Sequence, residues 1–215
     1  MATNDLPAQI ISLQQQLQQP LPGRDAQERM AARVLPMPPQ IPGNARTSAV
    51  LSLFFPLNEM LHMVLIQRTE DGGRHSGQVG FPGGRYEPAD ASFEATALRE
   101  TQEEVGIPSN EIQLLGALTP LYIPVSNFMV HPFVCYTPQR PEYILSKDEV
   151  AGIYEVAAGE LFLPERKIVT TVRPSSAPNL TLTVPAYTLK DGPIIWGATA
   201  MMLSELEAVW YGALG

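Results

Sequence analysis

At 215 residues the chain is long enough for one domain with an appendage, and for a core that needs neither a disulfide nor a structural metal. Hydrophobic residues at 45% exclude wholesale disorder, and the single cysteine, Cys135, excludes an intramolecular disulfide and a cysteine-based zinc site. Fourteen basic against 22 acidic residues, a net charge of −8, exclude a general nucleic-acid or anionic-membrane surface, though not a local basic pocket.

The first residues, Met1 to Pro7, have neither the basic start nor the apolar core of a signal peptide. The most hydrophobic stretch, 47–66, is interrupted by Pro56, Asn58 and Glu59, too broken for a membrane span. A cytoplasmic protein is therefore expected, with no membrane or nucleic-acid partner. Leu6, Ile10, Leu13 and Leu17 recur at helical spacing and predict an amphipathic helix over 5–19, stopped by Pro20, Pro22 and Gly23. A second short helix is predicted over about 25–34, running into a proline-rich connector at 35–42. Residues 1–45 thus read as a helical extension laid over the main domain or over a partner chain, and 46–215 as that domain.

Residues 49–57 and 60–68 are β-rich runs, and Asn58-Glu59 between them suits a hairpin. Gly72, Gly73, Gly77, Gly80, Gly83 and Gly84 then fill a loop of about 15 residues, a length that inside a compact domain is usually functional or mobile. A helix is predicted over 91–105, with Asp90 as its N-cap and Gly106 as its stop. Strands follow at 112–124, 128–136, 152–156, 166–173 and 178–188, and a last helix at 195–211. This order gives an α/β (α+β) protein with a mixed sheet.

The chemistry concentrates where the glycine loop feeds the 91–105 helix. Glu100, Glu103 and Glu104 fall within an arc of about 100°, with Ala91, Leu98 and Val105 nearly opposite. One face is expected to pack while the other gathers charge. Like charges at i,i+4 weaken a helix, and acids near its C-terminus oppose the macrodipole, so the cluster is costly without a cation. Mg²⁺, which takes carboxylate and phosphate oxygens and keeps waters, suits it. Phe81-Pro82-Gly83-Gly84, just before the helix, lets backbone approach a ligand.

Arg99-Glu100-Thr101-Gln102-Glu103-Glu104-Val105-Gly106-Ile107 resembles the second half of a Nudix box, with Thr101 in place of an apolar residue. Gly84 opens the first half, Asp90 stands where that family usually has Glu, and the box is one residue longer than usual before Arg99. Val64 to Thr69 and His75 to Gly84 are similar to the narrower motif of the coenzyme A pyrophosphatase branch; Gly73 stands where the branch carries Arg, with Arg74 and His75 adjacent. The resemblance implies an α/β/α sandwich and a nucleotide diphosphatase that uses Mg²⁺ or Mn²⁺. It implies metal ligation by Glu100, Glu103, Glu104 and the carbonyl of Gly83 or Gly84. Glu103, Glu149 and Arg99 are the candidates for the catalytic machinery, Arg99 by orienting Glu100 or the loop. Arg68, Arg74, His75, Phe81 and Gly84 are the candidate substrate contacts. The expected substrate is coenzyme A or a derivative, with ADP-ribose or another nucleoside-diphosphate compound as the alternative, a non-catalytic binding module as the weakest reading, and a homodimer as the assembly.

His62, His131 and Cys135 lie in apolar strand-like runs and read as packing residues. Tyr122, Phe128 and Tyr143 are candidates to stack on an adenine or line a channel.

Overall fold

Two long strands carry the architecture, β1 (Arg46–Leu57) and β2 (Met60–Arg68). They pair antiparallel through a two-residue turn in which Asn58 and Glu59 take φ of 49° and 61°, the left-handed pair that such hairpins require. Both strands are nearly unbroken apolar runs because both faces are buried. Ala49, Leu51, Leu53 and Phe55 of β1 pack to one side with Val64 and Ile66 of β2. Phe54 packs to the other with Leu61, Met63 and Leu65.

The computed structural model describes residues 5–32, 41–70, 72, 76–175, 177, 179–190 and 192–214. Six further strands complete the main sheet: β3 (Val79–Gly80), β4 (Gly83–Arg85), β5 (Gln113–Ala117), β6 (Leu121–Ile123), β7 (Phe128–Tyr136) and β8 (Val150–Ala157). Its order is β3-β2-β1-β7-β5, with β4 also on β1, β6 on β7 and β8 on β2. β1 and β7 run parallel and the other pairs antiparallel, so the sheet is mixed. A separate sheet, in the order β11-β10-β9, is built from β9 (Lys167–Val172), β10 (Leu182–Thr188) and β11 (Ile194–Trp196).

The helices, in chain order, are α1 (Leu6–Leu17), α2 (Gly23–Gln27), α3 (Phe93–Val105), α4 (Ala158–Leu161) and α5 (Ala198–Leu214). α3 covers the Leu51–Leu53–Phe55 side of the sheet through Ala97 and Val105. α5 covers the opposite side with Met202, Leu203, Leu206 and Val209, which makes the α/β/α sandwich. Ile10, Leu13 and Leu17 of α1 and the nearby Met30 join the α5 core. Glu205, fully buried on α5, accepts hydrogen bonds from the Gly23 amide (3.1 Å), Gln27 Nε2 (2.8 Å) and Thr119 Oγ1 (2.6 Å). The N-terminal helices are thus laid over the main domain. No helix among the described residues is long and apolar enough to cross a membrane.

Several expectations need correcting. The acidic helix starts at Phe93, capped by Ser92, whose Oγ accepts from the Ala95 amide at 3.1 Å; Asp90 is occupied elsewhere. The strand predicted over 112–124 is two, broken at 118–120, where the Thr119 amide turns to Glu205 (3.2 Å) and Pro120 has no amide to give. The second N-terminal helix is a five-residue turn continued by a 3₁₀ segment, Glu28–Met30; residues 33 and 34 of the predicted span lie outside the described residues. The last helix starts three residues later than predicted, at Ala198, because 194–196 form β11.

Candidate active site

β4 is three residues long, yet it fixes the site. Gly83 lies opposite Val50 of β1 with φ +145°, and a Cβ there would stand 2.3 Å from the Ala49 carbonyl. Only glycine lets the two backbones meet. A Cβ on Gly84 would stand 2.2 Å from Glu100 Oε2, so the second glycine makes room for a carboxylate of α3.

α3 does not divide into a packed face and an acidic one. Its buried residues are Thr96, Ala97, Thr101, Glu104 and Val105, so Glu104 lies within the packed face. Ala91 lies ahead of the helix and is exposed, and Leu98 is half-buried. Thr101 tolerates burial because its hydroxyl donates back to the Ala97 carbonyl at 2.7 Å. Glu104, with its side chain 1% exposed, accepts from the Gly83 amide at 2.8 Å and from Arg68 Nη1 at 3.0 Å. Burial pushes its carboxyl up to about 7, against the pull of the Gly83 amide and Arg68 and with a further push from Glu100 and Glu149. Glu100 is raised by burial too, opposed by Arg99 and assisted by Glu103 and Glu149.

Arg99 is the hub on the open side. Its Nε and Nη2 grip Asp90 at 2.9 and 3.1 Å, its Nη1 reaches Glu100 and Glu103 at 2.9 Å each, and Nη2 also donates to the Arg85 carbonyl at 3.1 Å. Thr96 Oγ1 and the Glu87 amide complete the shell of Asp90, and the Arg99 guanidinium holds its carboxyl well below the usual range. A residue expected to cap the helix instead clamps the arginine that ties loop to helix.

Glu149 belongs to the same electrostatic cluster, since its charge acts on both Glu100 and Glu104. Its carbonyl accepts from the Thr69 amide, next to Arg68. Among the described residues no three acidic, histidine or cysteine side chains converge as a preformed cation cage; the carboxylates are tied to Arg99, Arg68 and the Gly83 amide. Arg68, Phe81, Gly83 and Gly84 all line one cleft of about 370 Å³. Arg74 and His75 lie outside the described residues.

Of the three aromatic candidates, Phe128 lines this cleft and Tyr122 a neighbouring chamber, whereas Tyr143 is held by Glu155 at 2.8 Å. His62 is buried beside Phe55, His131 rests on Phe93 at 4.1 Å, and Cys135 is buried.

The Nudix domain signature matches residues 46–176, most of the chain. The chain belongs to the Nudix family. The Nudix hydrolase NudL of Yersinia enterocolitica, described as uncharacterized, is 33% identical over 191 residues, covering 89% of this chain and 87% of that protein. NudL of Pectobacterium atrosepticum is 34% identical over 144 residues, covering 67% and 72%. A Nudix hydrolase structure from M. smegmatis superposes with a TM-score of 0.50 at 13% identity, over 77% of this chain and 85% of that one, a likeness of fold alone. This Nudix protein is accordingly a hydrolase of diphosphate bonds, acting on nucleoside diphosphate derivatives.

Proposed function

We propose that the protein cleaves the diphosphate of coenzyme A or its derivatives, giving 3′,5′-ADP and 4′-phosphopantetheine. One observation carries this choice of substrate. Beyond Gln78, Ile123, Ala198 and Thr199, which they share, the cleft adjoins a second chamber of about 470 Å³. Leu121, Pro124, Leu180, Leu182 and Trp196 make its lining largely apolar. A long arm such as pantetheine gains from such a lining, whereas the compact polar sugar of ADP-ribose does not. The alternative, ADP-ribose or another nucleoside-diphosphate compound, keeps one argument: Gly73 stands where the resembling branch has an arginine.

Nudix hydrolases generally use a divalent cation such as Mg²⁺. The donor set here suits one. Mutually repelling carboxylates crowd a glycine cradle that a Cβ would fill, and Mg²⁺ needs only one or two carboxylates beside its waters. Glu100, Glu103, Glu104 and the Gly83 carbonyl would hold it, or Mn²⁺ in its place. When bound, the ion neutralises diphosphate charge and lowers the pKa of water. Arg99 keeps Glu100 and Glu103 in register with the loop. Glu149, in reach of the same cluster, takes the proton of the attacking water. That water's oxygen bonds to phosphorus while the bridging P–O bond breaks, and the departing oxygen takes up a proton. Arg68, which lines the cleft, exchanges Glu104 for a substrate phosphate, to which its planar fork is matched. Phe81 and Gly84 complete the substrate contacts within the cleft, and the sequence adds Arg74 and His75 as candidates.

The test is a panel of coenzyme A, ADP-ribose, NADH and nucleoside triphosphates with Mg²⁺ and the purified protein, with products identified by mass. Release of 3′,5′-ADP and 4′-phosphopantetheine as the leading reaction is expected. Turnover confined to the other compounds would overturn the proposal.

A further inference from the structure

We propose that the end of the cleft where β1, β4 and β7 meet is a subsite for a phosphate monoester on the substrate's ribose. Strand register builds it. Ser48 lies opposite Arg85 across β1 and β4, and Arg46 opposite Phe128 across β1 and β7. Alternate residues of a strand share a face, so Arg46 and Ser48 fall on the side of β1 that carries Val50 to the cleft. On β4, Arg85 shares the face of Gly83. Ser48, Arg85 and Phe128 all line the cleft, together with Ser126 just before β7. Two residues of strand, about 6–7 Å, separate Gly83 at the diphosphate end from Arg85, a span that a single ribose bridges.

The side chains are those an extra phosphate needs. The Arg46 guanidinium lies 4.2 Å over the Phe128 ring, and its Nη2 donates to the Ser126 carbonyl at 2.8 Å. That fixes its plane with one donor of five and leaves a fork for a bidentate anion. Among the described residues the Arg85 guanidinium makes no hydrogen bond or ion pair, while its strand position is fixed by pairing with Ser48. The independent observation is Ser126 itself. It is 3% exposed, its hydroxyl has no hydrogen-bond partner, and it lines the same cleft. Buried hydroxyls are almost always satisfied, and an orphan in a residue that lines the cleft and holds the Arg46 guanidinium by its carbonyl marks a place where a ligand oxygen supplies the bond. Two guanidinium groups and two hydroxyls match a dianionic phosphate.

Under the reading given above, on which this subsite rests, that group is the 3′-phosphate of coenzyme A, which ADP-ribose lacks. The test compares coenzyme A with 3′-dephospho-coenzyme A, and 3′,5′-ADP with 5′-AMP in calorimetry with EDTA present. Wild type is expected to favour the 3′-phosphorylated member of each pair by roughly 10- to 150-fold, the scale of a charge-assisted hydrogen bond. Arg46→Gln combined with Arg85→Gln should bring both ratios close to one, and Ser126→Ala should reduce them about threefold, the loss of one ordinary hydrogen bond. Equal cleavage of both coenzymes, with ratios that none of these variants moves, overturns the subsite and leaves the proposed reaction standing. Cleavage of neither coenzyme defeats the proposed reaction; the subsite is then also overturned if 3′,5′-ADP binds no tighter than 5′-AMP.

Discussion

Glu104 has a side chain 1% exposed, held by one amide and one arginine. Its carboxyl is raised from 4.5 to about 7 by burial, so the folded state binds a proton that the unfolded chain has released over that interval. Stability from this group is complete below pH 4.5 and is lost as pH rises through about 7. In EDTA, the Tm should fall over this range, and Glu104→Gln should flatten the fall; an unchanged slope would remove Glu104 as its cause. Asp90 has the opposite sign. Arg99 depresses its carboxyl, so its contribution is present above pH 3.8 and is lost as pH falls further. For catalysis, Glu103→Gln and Glu104→Gln should each keep the fold and lower Mg²⁺-dependent turnover at least about 100-fold, the scale of losing an electrostatic element. Near-wild-type turnover in either variant would remove it from the metal site.

The run of carboxylates and the glycine loop were legible because they are consecutive in the chain, so helical spacing alone puts Glu100, Glu103 and Glu104 on adjacent turns of one helix. What Asp90 does was not. An aspartate ahead of a helix is most simply a cap, and only the fold brings the Arg99 fork to it, leaving Ser92 to cap. The burial of Glu104 was hidden for a related reason: periodicity gives the arc but not which neighbour covers it, and here the cover is β4. Arg46, Arg85 and Ser126 were beyond reach, because they meet only through the pairing register of three strands. The glycines give a direct test of the β4–α3 junction. Gly83→Ala forces a Cβ onto the Ala49 carbonyl, where backbone cannot yield, and should cost at least about 3 kcal/mol in urea unfolding. Gly84→Ala meets first the carboxylate of Glu100, the far end of a flexible side chain, so it should fold yet lose turnover on the order of 100-fold through misplacement of that group. Equal effects of the two substitutions on stability would contradict this division.

Residues outside the Nudix box region make the apolar chamber beside the cleft. Its walls come from Ala31 and Ala32 after the N-terminal helices, from the 121–125 segment around β6, and from the second sheet and the start of α5. The spacing of Leu6, Ile10, Leu13 and Leu17 announced α1, but the anchor of the extension, Glu205, lies near the other end of the chain and gave no sequence signal. Glu205→Ala strands donors from Gly23, Gln27 and Thr119 and should destabilise by about 3 kcal/mol or more, with faster amide exchange across residues 6–30. Unchanged exchange there would show that apolar packing alone holds the helices. The whole arrangement of phosphate cleft, apolar chamber and arginine-bearing strand ends is proposed to select coenzyme A over a shorter, less charged diphosphate. The most direct measurement is the ratio of kcat/KM for coenzyme A to that for ADP-ribose under saturating Mg²⁺. A ratio above one, rising further for acylated coenzyme A, is the predicted result; a ratio below one would contradict the substrate assignment and leave only a Nudix hydrolase of nucleoside diphosphate derivatives.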